Sequence, residues 1–283
     1  MKLIIQPDAG IAPIIRAIQR AKKTVHIVIF RFDLEDVENE LKAAVKRGVV
    51  VTALVAHTNR GGDKVLRKLE MRLLQCGVTV NRTEDDLARY HGKVLVVDAR
   101  RAYILGFNYT SKDLKSRSFG VMTQSHRVVK ELLRLFDSDA NRTAYVTRAR
   151  DLVVSPENAR RRLERFIRKA RKRIDIYDPH VSDDEMLTLL SLKVEKWVEV
   201  RILGWLEHKW AESGIDVRAY PSGRLHVRAM IRDGRRTFVG SQSLRKLELD
   251  GRREVGLIVR DQAIVRRMKK TFDRDWKNTK PDA

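Results

Sequence analysis

Apolar positions along the chain alternate between two patterns. Residues 24–30, 49–55 and 198–203 are dense in Val and Ile, the composition of strands buried on both faces. Ala159, Leu163, Phe166, Ile167 and Ala170 recur instead at helical spacing, with Ser155 placed as the N-cap and Pro156 in the first turn. Each half of the chain reads helix, strand, helix, strand, helix, strand, then a strand pair and a closing helix. Such alternation specifies α/β architecture, with each half a mixed β-sheet flanked by helices.

The halves also resemble each other. His91-Gly92-Lys93, followed by Val94-Leu95-Val96-Val97 and Asp98, returns as His226-Val227-Arg228, then Ala229-Met230-Ile231-Arg232 and Asp233. The offset is 135 for both the histidines (226−91) and the aspartates (233−98). Leu105-Gly106-Phe107-Asn108 matches Gly240-Ser241-Gln242-Ser243 at the same offset, and Phe136-Asp137-Ser138-Asp139 matches Phe272-Asp273-Arg274-Asp275 at 136. Upstream, Ala21-Lys22-Lys23-Thr24-Val25 pairs with Ala170-Arg171-Lys172-Arg173-Ile174 at 149. The first copy therefore carries about a dozen extra residues between Ala56 and Gln75, read as a longer helix. Two repeats are expected, over residues 1–147 and 148–283, related by a pseudo-twofold axis.

Charge narrows the class of partner. The 283 residues hold 59 Lys plus Arg against 37 Asp plus Glu, a net charge of +22, which attracts polyanions, whether nucleic acid or an anionic membrane surface. Cys76 is the single cysteine, so no intramolecular disulfide forms, and a reducing compartment is expected. The N-terminus lacks the form of a signal peptide, and no run approaches the roughly 20 apolar residues of a membrane span. A cytoplasmic protein is expected, with peripheral membrane contact compatible.

On a strand, His91 and Lys93 would share a face, as would His226 and Arg228. Asp98 and Asp233, at odd spacing from the histidines, would point away and fix a turn or neighbouring backbone. A phosphodiester needs a nucleophile, an acid for the leaving oxygen, and donors for the non-bridging oxygens. One neutral and one protonated histidine fill the first two roles near neutral pH. Lys93, Arg228, Asn108 and the Ser243 hydroxyl can bind the oxygens, with no metal or cofactor required.

These motifs resemble the phospholipase D superfamily, marked by H-x-K-x(4)-D followed by G-S-x-N, twice per active site. The resemblance extends over nearly the whole chain. It implies a bilobed α/β sandwich, an active site at the lobe interface and a phosphohistidine intermediate, with His91 as nucleophile and His226 as general acid. One chain then suffices for a complete site. The family often has a glutamate about ten residues beyond the second motif element that orients a histidine; Glu254 fills that place in the second copy, where the first has Ser118 or Phe119. Four positions depart from the family pattern: Arg228 replaces lysine, Ser243 replaces asparagine, and Leu105-Gly106 replaces Gly-Ser.

His26, His57, His126, His180 and His208 lack comparable company and are assigned structural or solvated roles. Ser182 to Glu185 reads as a helix-start capping box rather than part of a metal site with His180. The basic runs at 160–162 and 168–173 read as a solvated helix face. Three functions remain open: a phospholipase D-type phosphodiesterase or phosphatidyltransferase similar to cardiolipin synthases, a metal-independent nuclease, and a non-catalytic polyanion-binding protein.

Overall fold

Strands rich in β-branched residues, apolar on both faces, require cover on both sides, and the chain supplies it in layers. The computed structural model describes residues 1–58, 63–210 and 212–279. The side chains of Asp63 and His208 lie outside that description. The first sheet runs in the order Lys2–Gln6, Ser118–Thr123, Arg101–Leu105, Val94–Val97, Thr24–Ile29, Val50–Val55, Thr79–Arg82. The last three strands are parallel and the others antiparallel. The second sheet repeats this plan as Leu152–Ser155, Arg252–Val259, Arg236–Gly240, Arg228–Arg232, Arg173–Val181, Glu199–Leu206, Asp216–Arg218.

Period-two alternation sorts each strand's side chains between two cores. Leu95, Val97 and Leu105 face an outer core with the helices Ala12–Gln19 and Glu35–Lys46. Val94, Val96 and Ile104 face a central core. Ala229, Ile231 and Val239 of the second sheet enter the same central core, together with the long helices His126–Asn141 and Gln262–Lys277. The helices Ala159–Arg168 and Asp184–Glu195 cover the second sheet's outer face. Two mixed sheets thus share a central core, and no helix among the described residues is long and apolar enough to cross a membrane.

The longer helix expected in the first copy is Asp63–Gln75, against a 3₁₀ turn at His208–Trp210 in the second. Five strands escaped the pattern reading: Lys2–Gln6 and Leu152–Ser155, which open the repeats, Ser118–Thr123 and Arg252–Val259, which follow the motif hairpins, and the two-residue Arg89–Tyr90. Ser155 ends a strand rather than capping a helix; Asn158 precedes the helix Ala159–Arg168. Asp183, not Ser182, caps the helix Asp184–Glu195, its side chain accepting from the Met186 N–H.

The lobes are joined reciprocally. Arg89–Tyr90 adds to the edge of Arg252–Val259, and Leu225 bridges to Arg117. Arg117 Nη1 donates to the Gln6 carbonyl at 2.7 Å, and its Nη2 reaches Asp275 at 3.1 Å. In the mirrored arrangement Arg253 donates to the Ser155 carbonyl and to Asp139, each at 3.1 Å. Both arginines are buried, so truncating either would leave a buried carboxylate without its partner, a change that typically costs about 3–5 kcal/mol.

Candidate active site

The reciprocal joints put the two motifs at the lobe boundary. The His91 N–H donates to the Arg253 carbonyl at 2.8 Å, and the His226 N–H donates to the Arg117 carbonyl at 3.0 Å. Each histidine is thereby pulled off its own sheet. Residues 91–93 are an irregular lead-in to Val94–Val97, and His226 and Val227 likewise precede Arg228–Arg232. This differs from the regular strand expected for both motifs. Nearby, a Cβ added at Gly106 would stand 2.9 Å from the Phe119 carbonyl and 3.1 Å from the Gly240 carbonyl of the other lobe. Only glycine lets the two loops after the motif hairpins approach this closely.

Both histidines are braced from the opposite lobe. His91 Nδ1 lies 2.9 Å from each carboxylate oxygen of Glu254. A carboxylate at that contact takes the Nδ1–H as donor and leaves Nε2 with its lone pair. Phe30 packs edge-on against the ring, with centroids 4.4 Å apart. His226 Nδ1 stands 3.3 Å from Asp113 Oδ2, an ion-pair separation without hydrogen-bond alignment. Asp113 also accepts from the Asn108 N–H at 2.8 Å and from Asn108 Nδ2 at 2.6 Å, and pairs with Arg224.

The cations sit beside the rings. Lys93, 1% exposed, has Nζ 2.9 Å from His91 Nδ1. Burial pushes the Lys93 ammonium down to about 7, against the pull of Glu254. Arg228 Nε and Nη1 are buried with no hydrogen-bond partner, and the nearest Glu248 oxygen is 4.0 Å from Nε. Unpaired buried donors of this kind are costly unless a ligand satisfies them. Burial holds both imidazoles well below their ordinary value, with Lys93 and Arg228 adding to the effect on each ring. One electrostatic environment therefore spans both motifs and favours the neutral form of each ring. Asp113 opposes this at His226. Burial works against Asp113's own charge, but His226, Arg224 and Asn108 outweigh it and hold the carboxyl down to about 2.

Asp98 and Asp233 lie away from this cluster. Asp98 accepts from the backbone N–H groups of Lys22, Lys23 and Thr24, and Asp233 from those of Arg171, Lys172 and Arg173. Ser243 departs from the role expected of it. Its hydroxyl proton goes to Asp178, and its oxygen also lies 3.1 Å from the His180 carbonyl. Buried Asp178, raised to about 6 by desolvation, captures the donor that was to meet a phosphate.

Sequence reasoning missed Asp113, Glu248 and Asp178. Asp113 and Glu248 share the offset of the motifs (248−113), and each accepts a backbone N–H, from Asn108 and Ser243 respectively. Extending the repeat alignment through both would have found them. Asp178 carries no such signal, since Ile29 stands at the matching position.

A family profile described as "Cardiolipin synthase, PLD-like domain" matches residues 14–140 and 203–276. Cardiolipin synthase 1 of Bacillus cereus is 22% identical over 98% of this chain and 66% of its own length. A cardiolipin synthase of Clostridium perfringens is 22% identical over 92% of the chain and 67% of its own length. The chain thus spans about two thirds of the length of these relatives. Among solved structures, a phosphatidylserine synthase of Haemophilus influenzae superposes with a TM-score of 0.75 at 11% identity, covering 99% of this chain and 86% of that one. A polyphosphate kinase of Porphyromonas gingivalis gives 0.78 at 18% identity, over 96% of this chain and 49% of that one. With the profile match spanning more than half of the sequence, the chain belongs to the phospholipase D superfamily, in the family described by that cardiolipin synthase PLD-like domain.

Proposed function

We propose that this chain transfers a phosphatidyl group between alcohols, or to water, through a covalent intermediate on His91. One observation carries this reading: two histidines, each faced at Nδ1 by a carboxylate from the opposite lobe, flank Lys93 and the unsatisfied donors of Arg228. His91 Nε2 attacks phosphorus while Lys93, Arg228 and the Asn108 amide hold the non-bridging oxygens. The bond to the leaving oxygen breaks, and that oxygen takes a proton from His226. The acceptor hydroxyl then gives its proton to His226 and attacks the phosphohistidine, restoring His91.

His226 must be protonated for the first step, yet burial and Arg228 favour its neutral form. The negative charge of a bound phosphodiester adds to that of Asp113 and favours the imidazolium. The site is thereby armed by its substrate.

Phospholipid is favoured as substrate because the matched relatives are named as cardiolipin synthases. The +22 charge supports a second reading, cleavage of nucleic acid by the same residues. Phosphatidylglycerol vesicles and single- and double-stranded DNA, each incubated with the chain in EDTA, separate the two. Headgroup release or exchange on the vesicles, with DNA intact, is expected. DNA cleavage alone would establish the nuclease reading, and activity that needs added Mg²⁺ would overturn the histidine mechanism.

A further inference from the structure

The repeat provides an internal control for the basic runs that the sequence assigned to a solvated helix face. On the second lobe's outer side, a cleft of about 490 Å³ is lined by Arg150, Arg161, Arg162, Arg165, Lys169, Arg232, Arg236 and Arg260. Among the described residues Asp151 is its only acid, and it pairs with Arg260 alone of these eight cations, at 3.1 Å. Arg232 is 8% exposed, lies over the Phe166 ring at 4.8 Å and donates to the Phe166 carbonyl. Arg162 Nε is buried with no partner.

Part of this charge is special to the second lobe. Arg165, Lys169 and Arg236 match Arg16, Arg20 and Arg101 of the first lobe, but Arg161, Arg162, Arg232 and Arg260 stand where the first lobe has Ala12, Pro13, Val97 and Gln124. The same helix packs on the same sheet in both lobes, through Ile14, Ala17 and Ile18 in one and Leu163, Phe166 and Ile167 in the other. Arg161 and Arg162 stand in the first turn of Ala159–Arg168, a turn without an acidic residue. Cations there oppose the helix dipole. Repulsion between neighbours is felt directly: Arg165, Arg232, Arg236 and Arg260 all press the Lys169 ammonium down. Folding brings these charges together at a cost that a bound anion would offset.

We propose that this cleft is a binding site for a compact soluble oligophosphate, separate from the catalytic site. Arg228, beside the histidines, and Arg232, in the cleft, stand at opposite ends of one five-residue strand, ~13 Å apart at the strand rise. A compact ligand in the cleft therefore lies clear of His226. Concavity and the close spacing of the guanidinium groups favour clustered phosphates over a bilayer face, which would need flanking exposed apolar residues. Among the described residues Phe166 and Ile258 are the only apolar ones lining the cleft, and Phe166 is buried.

The test is calorimetric titration of His91→Ala protein with inorganic tripolyphosphate, so that binding is read apart from turnover. Two charge-reversed pairs are compared: R161E/R165E in the cleft, and R16E/R20E at exposed positions on the equivalent first-lobe helix. At least a tenfold weakening is expected from the first pair and little change from the second. R236Q/R260Q, outside the helix, should weaken binding in the same direction. Equal weakening by both helix pairs, or by neither, would overturn the site. Tighter binding of cardiolipin-containing vesicles or of an oligothymidylate through the same arginines would overturn the choice of a compact soluble ligand.

Discussion

Asp98 in the first lobe and Asp233 in the second do the same work on the same backbone, each gathering three N–H groups from the turn before the first parallel strand. At the other end of the motif strand the lobes part. His91 has a glutamate hydrogen-bonded at Nδ1 with Lys93 Nζ close by at 2.9 Å, whereas His226 has an aspartate at 3.3 Å and a guanidinium nearby. Asn108 gives one amide hydrogen to Asp113 and keeps a second, where Ser243 has spent its single hydroxyl proton on Asp178. The difference teaches where duplication is constrained. Positions that hold the fold stayed equivalent, and positions around the two histidines diverged, as the proposed mechanism needs if one ring is to attack and the other to exchange protons.

The largest effect that could break this division comes from the histidines themselves. His91→Ala should abolish turnover on every substrate. His226→Ala should cost about 10²–10⁴-fold with an ordinary alcohol leaving group, and much less with a p-nitrophenyl phosphodiester, whose leaving group needs no proton. Equal losses on both substrates would mean that His226 is not the acid. Next come the braces. Glu254→Gln should lower kcat by up to about 10⁴-fold, as when the acid behind a catalytic histidine becomes an amide. Asp113→Asn should lower kcat and also shift the pH profile, because it removes the group that favours protonated His226. A change in KM alone from either substitution would reduce these carboxylates to scaffolding.

A smaller effect follows from the lysine. Lys93 is held down to about 7 by burial, so in the free enzyme its charge is present below that pH and lost above it. Inhibition by sulfate, which does not titrate in this range, should weaken as pH rises through about 7. Lys93→Arg should flatten the dependence, since arginine keeps its charge; an unchanged slope would place the titration elsewhere. Smallest in effect, and a check on the shared scaffold, are Asp98→Ala and Asp233→Ala. Each leaves backbone donors without their carboxylate and should cost about 1–3 kcal/mol in denaturant unfolding. Backbone donors hold both carboxylates below their ordinary value against the effect of burial, so their contribution is present at neutral pH and fades as acid protonates them. Markedly unequal costs would show that the lobes are not equivalent even there.

Periodicity and self-similarity made the architecture legible. The buried strands wrote themselves as Val and Ile runs, and the constant offset paired the motifs. The strands Lys2–Gln6 and Leu152–Ser155 were missed because a run of only three apolar residues shortly before a proline carries no helix-or-strand preference. Glu254 was legible through family spacing. Asp113 was marked only by its offset from Glu248; that it faces a histidine 113 residues later (226−113) across the lobes is a relation that the folded interface creates. Ser243 misled for a similar reason: its rival acceptor, Asp178, comes from a strand whose counterpart offers Ile29.

The central claim, that His91 carries the phosphoryl group and His226 serves it, is tested most directly by acid-quenched labelling. His226→Ala and His91→Ala proteins are mixed with a radiolabelled phosphodiester bearing a p-nitrophenyl leaving group, quenched and digested. The prediction is label on the peptide containing His91 in the first protein, accumulating because the acceptor is no longer activated, and no label in the second. Label on His226 in the His91→Ala protein would contradict the assignment and reverse the roles of the two lobes.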